Sequence, residues 1–396
     1  MQAQKLLHTL LQKSSVIGHE KRLYSLLRAV DSVTHQGKLS LTSIGRHLPG
    51  KAKVKHKIKS INNLLGNEQL MDEREGIYAL IATVLLTGRK QAIIIVDWSP
   101  CVSHEQHMLK ASIMLQGRSM TLYEEVHPEC NLGKLKIHKR FLQRLKRKIP
   151  KDCEVIVETD AGFRTEWFDL IVTMGWHFIG RIRSNMLFHY EGEEEWIPCS
   201  SLYAEATSKA KYLGKVLLGK KRSFASALYL YHDKKANKQG GKALKKKGKV
   251  SSWKMEKKYS RANREPWLLA TSLPGSQKEA NALINKYRYR MRIEHEFRDT
   301  KNGQWGIGLE ESRTRDVERL QILLLIGHLA LFVLWATGLA AEDKKLHSSY
   351  QANTIKRYRC LSLVYLGLQI LRHDPESISE LDIRTAFNKV LKSCYQ

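Results

Sequence analysis

The stretch from Leu320 to Ala341, LQILLLIGHLALFVLWATGLAA, contains no Lys, Arg, Asp or Glu. A run of that length either spans a bilayer or is buried on every side inside a large core. Gln321, His328 and the glycines interrupt its apolar character, and the rest of the chain is polar and strongly basic. Both points favour burial over a C-terminal membrane anchor. A helix buried all round demands a sizeable domain, and 396 residues leave room for two or three.

The 67 Lys and Arg against 39 Asp and Glu give a formal net charge of +28. Such a surplus implies strong, salt-sensitive attraction to a polyanion, nucleic acid above all. With 42% hydrophobic and 27% charged residues the chain is globular rather than a disordered basic tail. The six cysteines are scattered without a C-x-x-C pair, which argues against a zinc module or a disulfide scaffold and fits a reducing cytoplasm. The amphipathic start, MQAQKLLHTLLQKSS, reads as a helix rather than a signal peptide.

Residues 1–88 carry helical spacing throughout. Within them, a short helix from Thr42 to Leu48, a turn at Pro49-Gly50 and a second helix from about Lys53 to Leu65 resemble a helix-turn-helix. Its second helix is expected to bury Val54, Ile58, Ile61 and Leu65 and to point Lys53, Lys57 and Ser60 outward. Seven Lys or Arg and no acid fall between Lys38 and Lys59, which suits a DNA groove, although a solvated helical hairpin has the same pattern.

An α/β pattern follows. Gln91–Ser99, QAIIIVDWS, is a continuous apolar run that suits a covered strand and ends on Asp97. Two strands meet at a hairpin around Gly117-Arg118, and Lys134–Lys148 reads as a basic helix. Cys153–Phe163, CEVIVETDAGF, repeats the strand-then-acid theme with Asp160. One such Asp is ordinarily a cap or turn former. Two of them, with Glu294 on a later helix, make a set of three carboxylates of the kind that holds Mg²⁺ and shares it with phosphate oxygens. From residue 184 to 274 the pattern turns mostly β. Thirteen Lys or Arg and a single acid crowd the loop at 234–264, which reads as a DNA-backbone contact or a solvated loop.

The segment YRYRMRIEHEFRDTK completes the picture. At 100° per residue, Tyr287, Arg290, Glu294 and Lys301 fall at roughly 0°, 300°, 340° and 320°, and Glu296 near 180°. One carboxylate flanked by two cations and a phenol suits a site for a metal and phosphates. The same stripe also describes a solvated face laced with ion pairs.

These four residues match the signature Y-x2-R-x3-E-x6-K at every position. With IVDWS, TDAGF, GRHLPGKAKVKHKIK, GRSMTLYE, EPWLLATSLP and QANT, the chain resembles the DDE transposases of bacterial insertion sequences, the transposon-ten group in particular. The resemblance covers nearly the whole chain. It implies an α/β fold: an RNase H-like catalytic core with a β-rich insertion, preceded by a helical DNA-binding domain and followed by a helical C-terminal region. The corresponding boundaries are 1–88 (helix-turn-helix-like at about 40–65), 89–183, 184–274, 275–342 and 343–396. It also implies cut-and-paste transposition: nicking at the element ends, hairpin formation and opening, and strand transfer to target DNA.

Under that resemblance Asp97, Asp160 and Glu294 are the catalytic carboxylates and hold two Mg²⁺ ions, Mn²⁺ being an alternative. Tyr287, Arg290 and Lys301 contact phosphates. Trp267 receives a flipped base and Met291 probes the gap it leaves. The partners implied are transposon-end DNA with its inverted repeats, target DNA and a second copy in a DNA-bound homodimer. No membrane and no small-molecule cofactor are expected, and the location is the bacterial cytoplasm, at the nucleoid. One departure stands out: GFRTEWF has Glu166 near the place where the group has a proline. Two rival functions share the features, a catalytically silent transposase-derived repressor and a structure-selective RNase H-like nuclease.

Overall fold

The computed structural model describes residues 2–36, 38–115, 117–183, 186–220, 223–232, 265–355 and 357–393. The basic loop expected at 234–264 lies outside the described residues. Five helices come first: α1 (Gln2–Ser14), α2 (Glu20–Gln36), α3 (Leu41–His47), α4 (Val54–Leu65) and α5 (Glu68–Leu86). Strands β1 (Gln91–Pro100), β2 (Gln106–Leu115) and β3 (Arg118–Pro128) follow, then α6 (Leu135–Lys146), β4 (Glu154–Thr159), α7 (Thr165–Thr173) and β5 (His177–Ile182). Next come β6 (Leu187–Tyr190), β7 (Ile197–Pro198), β8 (Lys211–Leu218), β9 (Phe224–Tyr231) and β10 (Trp267–Thr271). The chain closes with α8 (Ala280–Arg288), α9 (Arg292–Lys301), α10 (Val317–Asp343), α11 (Leu363–His373) and α12 (Glu380–Ser393).

The mixed α/β chain divides into two compact units, Met1–Glu154 with Met291–Gln396, and Val155–Arg290. The first unit is organised around α10. That helix is long and apolar enough to cross a membrane, yet from Leu320 to Ala341 all but Gln321 and Phe332 are buried in protein. α1, α2, α5, α11, α12 and β3 pack around it. It crosses α11 backbone to backbone: a Cβ on Gly338 would lie 2.0 Å from the Leu363 carbonyl oxygen, and one on Gly367 1.9 Å from that of Leu334. Reciprocal glycines allow this approach, and any side chain would force the helices apart.

In the same unit β1, β2 and β3 form an antiparallel ladder in the order β3-β2-β1, with Asp97 directly opposite Lys110. α3 and α4 form the expected helix pair. Ser40 caps α3 through the Ser43 N–H, and Gly50 turns the chain at φ +108°. A Cβ on Gly45 would meet the Ile58 Cα at 2.6 Å, so the pair also crosses on glycine. The buried stripe of α4 differs from expectation. Leu64 joins Ile61 and Leu65 in the core, whereas Val54, at the first turn, is 49% exposed. Lys57 does not point outward, because its Nζ donates to the Leu48 carbonyl and ties α4 to the preceding turn. Lys53, Lys55, His56, Lys59 and Ser60 remain exposed.

In the second unit β4 and β5 run parallel, joined through α7, and the order continues β10-β9-β8-β6-β7 with antiparallel pairing. The parallel pair needs a helical crossover, and α7 supplies it. Glu166 sits in the first turn of α7. An acid there complements the helix dipole.

Gly367→Ala should lower stability by about 3 kcal/mol in urea unfolding, the cost of overpacking a backbone contact. Parental stability in that variant would contradict the α10–α11 crossing.

Candidate active site

Asp97 lies near the end of β1, half-buried, and its carboxylate accepts the Trp98 N–H at 2.8 Å. The apolar residues before it fix the strand, and the strand end presents the acid. Trp98 is itself held, because its indole N–H donates to His138 Nε2 on α6 at 3.0 Å. Burial drives His138 down to about 4, with the nearby His127 acting in the same direction, so at neutral pH it is the acceptor this bond requires.

α9 brings Glu294 and Lys301 into the same unit, and the helix packs on β1 and β3. Glu294 is exposed, while Lys301 reaches β1 and donates to Ser99 Oγ at 2.6 Å. Burial pushes the Lys301 ammonium down to about 8; Lys110 acts the same way, while Cys101 and Asp97 oppose it. On the far face of α9 Glu296 is buried, as its position near 180° implies. It accepts from Ser119 Oγ at 2.7 Å and from Thr121 Oγ1, and lies 3.7 Å from Lys110 Nζ.

The second unit carries Asp160, Trp267, Tyr287 and Arg290. Asp160 follows β4, half-buried, and accepts the Gly162 N–H at 2.8 Å in a tight local turn. Tyr287 is 3% exposed, with Arg290 over its ring at 6.0 Å and Trp267 edge-on at 5.3 Å. Burial pushes the Tyr287 phenol up to about 12 against the pull of Arg290 and Arg181. Trp267, half-buried at the start of β10, also touches Tyr231 at 5.9 Å. Met291 is 44% exposed.

The segment read as one helix is broken. α8 ends at Arg288, a 3-10 turn spans Tyr289–Met291, and α9 begins at Arg292. A 3-10 turn winds faster than 100° per residue, so the angles reckoned for one continuous α-helix do not carry across it. Tyr287 and Arg290 belong to one unit, Glu294 and Lys301 to the other. Sequence reasoning also missed Glu158 on β4. It is fully buried, and neither carboxyl oxygen has a hydrogen-bond partner. Burial holds it well above the ordinary carboxylate range, opposed by Arg290 and Lys286. An acid inside an apolar strand two residues before Asp160 was its only signal.

Residues 88–332, more than half of the chain, match the family model described as a transposase DDE domain. The chain belongs to the DDE transposases. A comparison with curated proteins gave no match. The matched part of this transposase takes in Asp97, Asp160 and Glu294 and leaves α1 to α5 outside it.

DDE transposases work with divalent metal ions. Among the described residues no three His, Cys, Asp or Glu side chains are grouped so that they could hold a metal ion. By its chemistry each carboxylate by itself suits a hard cation, since Mg²⁺ takes one or two carboxylates and fills its remaining positions with water and substrate phosphate. Asp97, Asp160 and Glu294 are oxygen donors, none of them buried.

His138 has a folded pKa below its unfolded one, so the unfolded chain binds the extra proton between them. The stability it contributes is present above about 6.5 and lost as pH falls towards 4. A His138→Gln variant should therefore show a shallower decline in Tm across that window. An unchanged decline would contradict the buried, neutral His138.

Proposed function

We propose that this transposase moves an insertion sequence by a cut-and-paste route on an RNase H-like core, with Asp97, Asp160 and Glu294 as its catalytic carboxylates. The observation that carries the reading is the DDE-domain match over a stretch that holds one acid at the end of β1, one after β4 and one on α9. Asp97, Asp160 and Glu294 would hold Mg²⁺, with Mn²⁺ an alternative, and the metal would supply charge stabilisation and an activated oxygen for phosphodiester chemistry. Lys301, fixed beside β1 through Ser99, and Arg290, over Tyr287, supply cations for DNA phosphates.

In the proposed sequence water attacks the phosphodiester at the element's 3′ end and leaves a free 3′-OH. That hydroxyl attacks the opposite strand and closes a hairpin, a second water reopens it, and the 3′-OH joins target DNA. Hairpin closure requires a sharply bent strand. Trp267 would take the flipped base by stacking, and the exposed Met291 would occupy the gap. The α3–α4 pair, with exposed Lys53 at the N-cap of α4 and Lys55 and Lys59 on it, would recognise the terminal repeats. The working form is a homodimer on paired ends in the bacterial cytoplasm, at the nucleoid.

The test is cleavage of a labelled duplex bearing the element end, run on a denaturing gel with Mg²⁺. The protein should give a nick and then a product of hairpin mobility. Asp97→Ala, Asp160→Ala and Glu294→Ala should each lose about 10³-fold or more, the scale of removing a group that acts in the transition state. Trp267→Ala should retain the nick and lose most of the hairpin. Selective binding without cleavage by the unaltered protein would instead identify a repressor.

A further inference from the structure

α9 carries Glu294 on its open face, and nothing in a ten-residue amphipathic helix fixes its rotation by itself. Rotation is fixed by what the opposite face grips. There the helix offers Glu296, 3% exposed, to a polar seam in the first unit. Ser119 and Thr121 on β3 donate to its two carboxylate oxygens, and the Ser119 proton is shared with the Arg292 carbonyl, 3.0 Å away at the start of the helix. Lys110 on β2 closes the seam, 3.7 Å from Glu296 and 3.2 Å from Glu124. Lys110 is 1% exposed; burial opposes its charge, and the two carboxylates outweigh it and raise the ammonium.

Two further contacts tie this lysine to the open face. Lys110 stands directly opposite Asp97 across the β1–β2 ladder, so their side chains share one face of the sheet. The Phe297 ring has Lys110 Nζ at 5.5 Å and Lys301 Nζ also at 5.5 Å. At about 100° per residue, Glu296 lies about 200° round the helix from Glu294. Holding Glu296 against β3 therefore turns Glu294 away from the core. A slip of one residue would carry Glu294 off that face.

We infer that Lys110 and Glu296 are positioning residues: their buried pairing sets the rotation of α9 and thereby the placement of Glu294. The inference rests on the proposed role of Glu294 as a cation ligand. A buried ion pair adds little net stability over apolar residues of the same volume, but unlike apolar packing it is directional, which suits it to fixing a rotation.

The test uses terbium(III), an oxygen-seeking ion, on the whole protein, reading luminescence sensitised by tryptophan, with Trp98 adjacent to Asp97. The variants are Glu294→Gln, the apolar double variant Lys110→Met with Glu296→Met, and that pair combined with Glu294→Gln. The double variant also takes its ion partner from the buried Glu124, so its Tm should fall by several degrees; folded, it should lose at least about tenfold in terbium affinity, and adding Glu294→Gln to it should cost nothing more, since coupled residues are not additive. Lys110→Arg should restore most of the affinity. Ser119→Ala, which removes one hydroxyl without emptying the core, should lose two- to threefold, and it decides the matter if the double variant fails to fold. Parental affinity in the double variant, or in Ser119→Ala when the double variant is unfolded, overturns the inference while the role of Glu294 stands. Parental affinity in Glu294→Gln alone overturns that role and the inference with it.

Discussion

Glu296 is a carboxylate enclosed by protein, and a buried charge is tolerated only when its partners are complete. Here two hydroxyls from β3 and an ammonium from β2 supply them. Because those partners come from two strands and the acid from a helix, the interaction orients one element on the other. Apolar contacts alone are non-directional and would let α9 roll. The cations around the seam also bear on the open face, where Lys301 is bonded to Ser99 two residues from Asp97.

The seam depends in turn on the core beneath it. Tyr78 donates to Glu124 at 2.8 Å, and its ring stacks on His328 of α10 at 4.9 Å. His328 is fully enclosed and driven by burial to about 3, so it behaves as a neutral ring inside the apolar helix. The uncharged run from Leu320 to Ala341 is thus the floor on which the polar seam and the ladder β3-β2-β1 are built. Its reciprocal glycine crossing with α11 keeps that floor narrow.

Much of this was legible in the chain. The apolar runs before Asp97 and Asp160 became strands, Pro49-Gly50 turned the α3–α4 pair, and Leu320–Ala341 was read as core because its surroundings were basic and soluble in character. These are local signals of periodicity and punctuation. The break at Tyr289–Met291 was not legible, because YRYRMRIEHEF contains neither glycine nor proline to announce it; it coincides with the division between units, a tertiary property. Lys57 is drawn back to the chain because the Leu48 carbonyl offers its ammonium a partner, and Val54, in the first turn of α4, stays exposed. Lys110 was silent for the same reason: inside HMLKASIML it reads as an outward strand residue, and only the strand pairing with β3 and the docking of α9 bury it.

The central claim of the proposed function is that Asp97, Asp160 and Glu294 serve the same ions, although they belong to different units. Iron(II) substituted for magnesium, with ascorbate and peroxide, cuts a polypeptide backbone beside the residues that bind it. The account predicts fragments ending near all three acids in one reaction, and the loss of all three together in Asp97→Asn. Cuts confined to a single acid, or cuts near Asp160 and Glu294 that persist when Asp97 is replaced, would contradict it.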